Sequence, residues 1–219
     1  MIPLFPAEEF LKLKKTLLIY GWGQKILLTK LDILRQDFNN FHKSNPIENI
    51  TSRMKAPESI AQKLVDQKFE LTYDNARAHI KDIAGVRIIC TYAKDIFFLA
   101  EMLRSMPHTT IASEKDYVGT PKPSGYRGFH IIMEIPVFYS ERIESVPVEI
   151  QLRTAAMDFW ATLEHKVKYK YKEHIPANLS DELVSCADQI AMLDDRMFTI
   201  QDTISKLNSD SDYAGDGFV

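Results

Sequence analysis

Two apolar stripes at helical spacing stand near the ends of this 219-residue chain and constrain what lies between them. Near the C-terminus, Leu183, Cys186, Ile190, Leu193, Met197, Ile200, Ile204 and Leu207 follow one another in steps of three and four, for more than three heptads. That is the period of helix-on-helix packing. Near the N-terminus, Leu27, Leu31, Leu34, Phe38 and Phe41 make a narrower stripe, ended by Asn45-Pro46. Between the stripes the period changes. "GVRIICTY" (85–92) is the apolar run of a buried strand; 109–117, 129–135 and 146–153 read as further strands and 49–55 as a short one. Helices are predicted over 57–67, with Pro57 in the favoured first turn, and over 73–80, 94–104 and 154–171, with Pro176 as a break.

The expected organisation is therefore a helical extension over 1–45 and an α+β domain over 46–172, with a central mixed sheet flanked by helices. A heptad-patterned helix follows over 173–207, and the polar, acidic "NSDSDYAGDGFV" (208–219) is expected to be disordered. The terminal seam is long for a small domain, which predicts a homo-oligomer built through the end helices.

A net charge of −3 leaves no overall basic footprint, so bulk electrostatic binding to RNA is not indicated; an anionic ligand must be met by a local cluster of Lys and Arg. Cys90 and Cys186 lie far apart in unlike contexts and are expected as reduced, buried thiols. "MIPLFPAEEFLKLKK" has its charges in the wrong place for a signal peptide, and no apolar run approaches the ~18 residues of a membrane span. A cytoplasmic location is expected.

Four short stretches carry chemistry. "SRMKAPESIAQK" holds Arg53, Lys55, Ser59 and Lys63 on a strand edge feeding a helix start, an arrangement suited to polyphosphate. "DIAGVRIIC" puts Asp82 at the mouth of a buried strand, with Gly85 between it and Arg87; a carboxylate there can hold Mg²⁺. "VPVEIQLRT" alternates, with Val148, Ile150 and Leu152 on one face and Glu149, Gln151 and Arg153 on the other. "PKPSGYRGFH" bends at Pro121–Gly125 and then enters a strand. If strand geometry already holds at Tyr126, then Tyr126, Gly128 and His130 share a face, and Gly128 leaves room beside the ring for something flat. No Walker loop, dinucleotide-binding glycine fingerprint or zinc spacing occurs. Taken alone, each stretch is equally a solvated surface feature. The residues by themselves reach an α/β protein with a Mg-nucleotide site.

In this order and combination, "DIAGVRI", "GYRGFH" and "VEIQLRTAAMDFWATLEHKVKYK" resemble the synthetase domain of RelA/SpoT-type alarmone enzymes, in its stand-alone form, the small alarmone synthetases. The resemblance runs from about Ile47 to Tyr171 and implies an α/β nucleotidyltransferase-like fold. It also implies transfer of the β,γ-pyrophosphate of ATP to the 3′-hydroxyl of GDP or GTP, with Mg²⁺ as cofactor. Carried over by motif, it implies Asp82 as a metal ligand and Glu149 as general base and metal partner. On the ATP side it implies Arg53 and Arg87 as the adenine sandwich and Lys55, Ser59 and Lys63 on the phosphates. On the acceptor side it implies Tyr126 stacked on guanine, Lys122 and His130 at the 5′-phosphates, and Lys115 and Gln151 beside them.

Assembly as a tetramer through the terminal helices is implied as well. Many relatives carry Ser where this chain has Gly128. The absence of any His-Asp dipeptide, which marks the family's hydrolase domain, predicts synthesis without degradation. Asp32 among Lys30 and Arg35, together with Asp158, predicts weak or absent activation by a pentaphosphate product. Two other readings share these residues: a catalytically silent nucleotide- or RNA-binding regulator, and a transferase of nucleoside monophosphate.

Overall fold

The computed structural model describes residues 4–171 and 176–214, without side-chain surroundings at 169–170 and 208–214. Helix α1 (Ala7–Phe41) precedes strand β1 (Ile47–Met54), helices α2 (Pro57–Asp66) and α3 (Tyr73–His79) and strand β2 (Ala84–Cys90). Helix α4 (Ala93–Arg104), strands β3 (Thr110–Asp116), β4 (Phe129–Tyr139) and β5 (Arg142–Thr154), and helices α5 (Ala155–Lys170) and α6 (Ala177–Ala214) complete the order.

The five strands form one mixed sheet, β1-β2-β5-β4-β3, parallel only between β2 and β5. Alternation along β4 and β5 makes one face apolar, with Ile131, Met133, Ile135, Val148, Ile150 and Leu152 buried. Helices α1 and α4 cover that face. Gly23 of α1 meets the hairpin so closely that a Cβ there would lie 2.3 Å from Val146 Cγ2, and Phe97 of α4 packs edge-on to Phe129. Gln24 of α1, buried, donates to the carbonyls of Arg53 and Gly85 at 2.9 Å each and so fixes the β1–β2 pair from behind. The opposite face carries the polar alternates of the strands.

Three expectations need correction. The β4–β5 hairpin is longer than 129–135 and 146–153: it continues to Tyr139 and Arg142, with Ser140 at positive φ in the tip. Pro136 hid this extension. It is tolerated because β3 pairs no further along β4 than Glu134, leaving the Pro136 nitrogen on an open edge. Second, the C-terminal stripe does two different things. Leu183, Cys186 and Ile190 pack with Tyr126, Trp160, Ala161 and Ala187 in a second apolar cluster, whereas Leu193, Met197, Ile200, Ile204 and Leu207 remain 46–64% exposed. Third, α6 runs on to Ala214, while 215–219, the end of the tail expected to be disordered, lie outside the described residues. Both cysteines are free thiols; Cys90 is buried and Cys186 half-buried.

Candidate active site

Register assembles the site. Reading from β1 to β3, Thr51, Arg87, Gln151, His130 and Lys115 form one row across the sheet; Arg53, Gly85, Glu149, Ile132 and Ser113 form the next. Side chains in register project to the same face. Five of the twelve residues singled out from sequence, Arg53, Arg87, Glu149, Gln151 and His130, therefore share these two rows across β1, β2, β5 and β4, and Lys115 joins them from β3.

At the β2 end, Asp82 receives Lys55 Nζ at 2.6 Å on Oδ2 and Lys63 Nζ at 2.8 Å on Oδ1. Burial pushes its pKa up, but the two ammonium groups outweigh that and hold it below the ordinary aspartate range. Asp82 and Glu149 line a single cleft of about 360 Å³ together with Lys63, Lys81, Lys115 and Lys122. Four lysines against two carboxylates supply the local positive field that the chain's overall charge lacks. Among the described residues no group of three or more His, Cys, Asp and Glu is placed to hold a metal by itself. Two carboxylates facing a lysine-lined cleft instead suit a hard divalent cation that takes its remaining ligands from phosphate and water.

Glu149 is held by both oxygens. His130 Nδ1 lies 3.1 Å from Oε1, and Gln151 Nε2 donates to Oε2 at 2.8 Å. Burial raises its pKa, yet the bond from His130 and then that from Gln151 leave it below the usual glutamate range. Arg153, 6% exposed, donates to the Tyr126 hydroxyl from Nε at 3.2 Å and Nη2 at 2.7 Å, and to Gln151 Oε1 at 2.9 Å. With its lone pairs so occupied, the Tyr126 hydroxyl has its proton free for His130 Nε2, 2.5 Å away. That assigns the His130 proton to Nδ1, where it is donated to Glu149. Asp158 Oδ1 closes the network, 3.0 Å from both Arg153 Nη1 and Arg87 Nη1.

Arg53 and Arg87 are diagonal neighbours on β1 and β2, since Arg53 faces Gly85 and Arg87 faces Thr51. Diagonal pairs on a sheet stand ~7–8 Å apart, room for a flat ring between two planar guanidinium groups. The loop before β4 is clamped from α6. Gly125 has φ +89°, and a Cβ there would lie 2.8 Å from Ala187 Cβ and 3.2 Å from Val184 Cα. Arg127 Nη2 reaches Asp188 at 3.2 Å. Trp160 Nε1 donates to the Leu183 carbonyl at 2.8 Å, tying α5 to α6.

Several sequence expectations shift. Tyr126 reaches His130 from a turn rather than from a strand, because β4 begins only at Phe129. The space beside Gly128 is taken: a Cβ there would lie 3.1 Å from the Tyr126 hydroxyl and 3.3 Å from Arg153 Cγ. Tyr126 is only 7% exposed, with Lys122 Nζ 4.7 Å and Arg153 Cζ 4.9 Å from its ring centre. Ser59 lies exposed on α2 and is not among the residues lining the lysine cleft. Asp158, expected to repel a product, is turned inward onto two arginines, and Asp32 is paired with Arg35 at 2.9 Å. Sequence reasoning left Arg153 without a role, although its alternation with Glu149 and Gln151 was the signal that it shares their face. Tyr117, His79 and Lys81, which also line the cleft, gave no such signal.

This site has counterparts. The region found in RelA/SpoT proteins matches residues 52–174. The chain is 45% identical over 188 residues to the GTP pyrophosphokinase YwaC of Bacillus subtilis, covering 86% of this chain and 90% of that protein. The small alarmone synthetase 2 of Bacillus subtilis superposes with a TM-score of 0.79 at 43% identity, over 87% of this chain and 98% of the other. The small alarmone synthetase 1 of the same organism, bound to its product pppGpp, superposes with a TM-score of 0.83 at 32% identity, over 89% and 98%. The chain belongs to the RelA/SpoT family, and its structural neighbours are the small alarmone synthetases.

Proposed function

We propose that this protein is a Mg²⁺-dependent (p)ppGpp synthetase, transferring the β,γ-pyrophosphate of ATP to the 3′-hydroxyl of GDP or GTP and releasing AMP. The observation that carries the reading is the convergence of Asp82 and Glu149 on one lysine-lined cleft, beside a second cleft lined by the paired arginines Arg53 and Arg87 and by Tyr126. Adenine lies between Arg53 and Arg87; Lys55 and Lys63 leave Asp82 for the donor phosphates, and Lys81 adds charge beside them. Mg²⁺, held by Asp82 and Glu149, neutralises phosphate charge when bound.

The acceptor's base stacks on Tyr126 once Lys122 moves off the ring; Lys122 and Lys115 meet the 5′-phosphates, and Gln151 steadies the acceptor side. His130, with both ring nitrogens engaged by Glu149 and Tyr126, orients the general base Glu149 instead of meeting a phosphate. Glu149, ionised at neutral pH and aimed by His130 and Gln151, takes the proton of the 3′-hydroxyl as its oxygen bonds to the β-phosphorus. The bond from the β-phosphorus to the oxygen bridging to the α-phosphate breaks, and AMP leaves with that oxygen. Such a transfer needs positioning and charge neutralisation more than covalent help.

The exposed half of the α6 stripe supports a homo-oligomer, taken here as a tetramer, because five apolar residues in register along one helix face are best covered by another helix. Among the described residues no helix is long and apolar enough to cross a membrane, in keeping with a cytoplasmic enzyme.

The test is product analysis by anion-exchange chromatography after incubation with ATP, Mg²⁺ and GDP or GTP. Equal amounts of AMP and guanosine tetra- or pentaphosphate are expected. Glu149→Gln is expected to lower the rate by ~10²–10⁴-fold. Inorganic pyrophosphate in place of AMP would indicate nucleotidyl transfer instead, and binding without turnover a silent regulator.

A further inference from the structure

Beside Tyr126 lies a carboxylate that the transfer chemistry does not use. Glu164 of α5 is 9% exposed and lines a second cleft of about 360 Å³ with Tyr126, Arg153, Arg53 and Arg87. Among the described residues its ion pair is to the half-exposed Lys168, one turn on, whose Nζ lies 2.6 Å from Oε1 but at an angle that makes no hydrogen bond, so that among those residues this buried oxygen has no aligned donor. Buried carboxylates are costly unless donors are aimed at them. Burial lowers the pKa of Lys122, the lysine over the Tyr126 ring, and the charge of Glu164 opposes that shift, in keeping with the cleft that Glu164 and Tyr126 share.

The chemistry of the ring edge says which base belongs there. A carboxylate offers acceptors only. Guanine presents two donors side by side, N1–H and the 2-amino group, and matches it as a two-point pair. Adenine presents a donor beside an acceptor, so one carboxylate oxygen would face a lone pair. Hypoxanthine lacks the 2-amino group, and xanthine carries a carbonyl in its place. Within the functional reading above, on which this rests, we infer that Glu164 is the residue that selects guanine at the acceptor position, accepting from N1–H and the 2-amino group of a base stacked on Tyr126. It is a binding residue, distinct from the base Glu149 and from the phosphate-binding lysines.

The test is calorimetric titration with GDP, IDP and XDP (the inosine and xanthosine diphosphates) in the absence of donor, repeated as acceptor kinetics with ATP and Mg²⁺. Wild type is expected to favour GDP over IDP by about tenfold or more, from one hydrogen bond to a charged group. Glu164→Gln, whose amide can donate to the xanthine carbonyl, is expected to bring GDP and IDP within about threefold and to bind XDP better than wild type does. Glu164→Asp should retain the order GDP over XDP. A lost supporting contact would weaken all three acceptors alike, so the ratios separate recognition from damage.

An unchanged GDP:XDP ratio in Glu164→Gln overturns the proposal. If neither variant folds, equal wild-type affinity for GDP and IDP overturns it as well. Failure of the synthetase reading looks different: GDP binds with the expected selectivity, yet no 3′-pyrophosphorylated product forms.

Discussion

The two halves of the site are built in different ways. The proposed donor half, Arg53, Lys55, Lys63, Asp82 and Arg87, comes from the single stretch that runs from β1 to β2 and is joined by contacts within it, such as Lys55–Asp82 and Lys63–Asp82. The proposed acceptor half is a turn whose shape depends on distant partners: Gly125 on Val184 and Ala187, Arg127 on Asp188, Tyr126 on Arg153. Local construction gives the donor half ion pairs that a substrate phosphate can exchange for its own. Long-range construction makes the acceptor half a property of how α5 and α6 lie on the sheet.

The sharpest way to break the comparison is Gly125→Ala. The substitution meets a positive φ together with backbone at Val184, so the loop must leave α6; strain of ~1–3 kcal/mol should raise the acceptor KM by up to about a hundredfold. The donor KM should hardly move. Steady-state kinetics with each nucleotide varied in turn checks this, and an equal rise in both constants would mean that the halves are not separable. Next in size is Arg53→Ala, the mirror experiment: loss of a guanidinium stack worth roughly 1–2 kcal/mol should raise the ATP KM about tenfold and leave the acceptor KM alone.

Acidity sharpens the contrast further. Asp82 and Glu149 are both lowered in the folded protein, the first by Lys55 and Lys63 and the second by His130 and Gln151. A carboxylate with a depressed folded pKa contributes stability above its unfolded pKa and loses that contribution as pH falls through the folded value. Melting temperature should therefore decline below about pH 4, and Asp82→Asn should flatten that decline. Activity should show no acid limb from Glu149 in the neutral range. Smallest in its effect on each site is Met197→Glu with Ile200→Glu. Both side chains are exposed on α6, beyond the part that packs on the acceptor loop. Light scattering should show a smaller particle, with the GDP dependence of the rate changed less than twofold.

Much of this was legible beforehand, for identifiable reasons. Period-two alternation in "VPVEIQLRT" put Glu149, Gln151 and Arg153 on one face, and Pro57 marked the start of α2, because strand pleat and helix capping are local effects. The hairpin extension past Pro136 was not legible, since the cost of a proline depends on whether a neighbouring strand needs its N–H, and only sheet order says where β3 stops. Nor was the split fate of the C-terminal stripe, because a heptad pattern shows that a face is apolar without showing what covers it.

The sequence by itself determined the elements, the polar and apolar faces of the strands, and the motif residues that mark the family. Tertiary structure alone decided that Tyr126 is buried against Arg153, that Asp158 bridges Arg153 and Arg87, and that Glu164 lines one cleft with Tyr126. Backbone preference and side-chain period act over a few residues, whereas hydrogen-bond partners and burial belong to whichever distant segments the packed chain brings into contact.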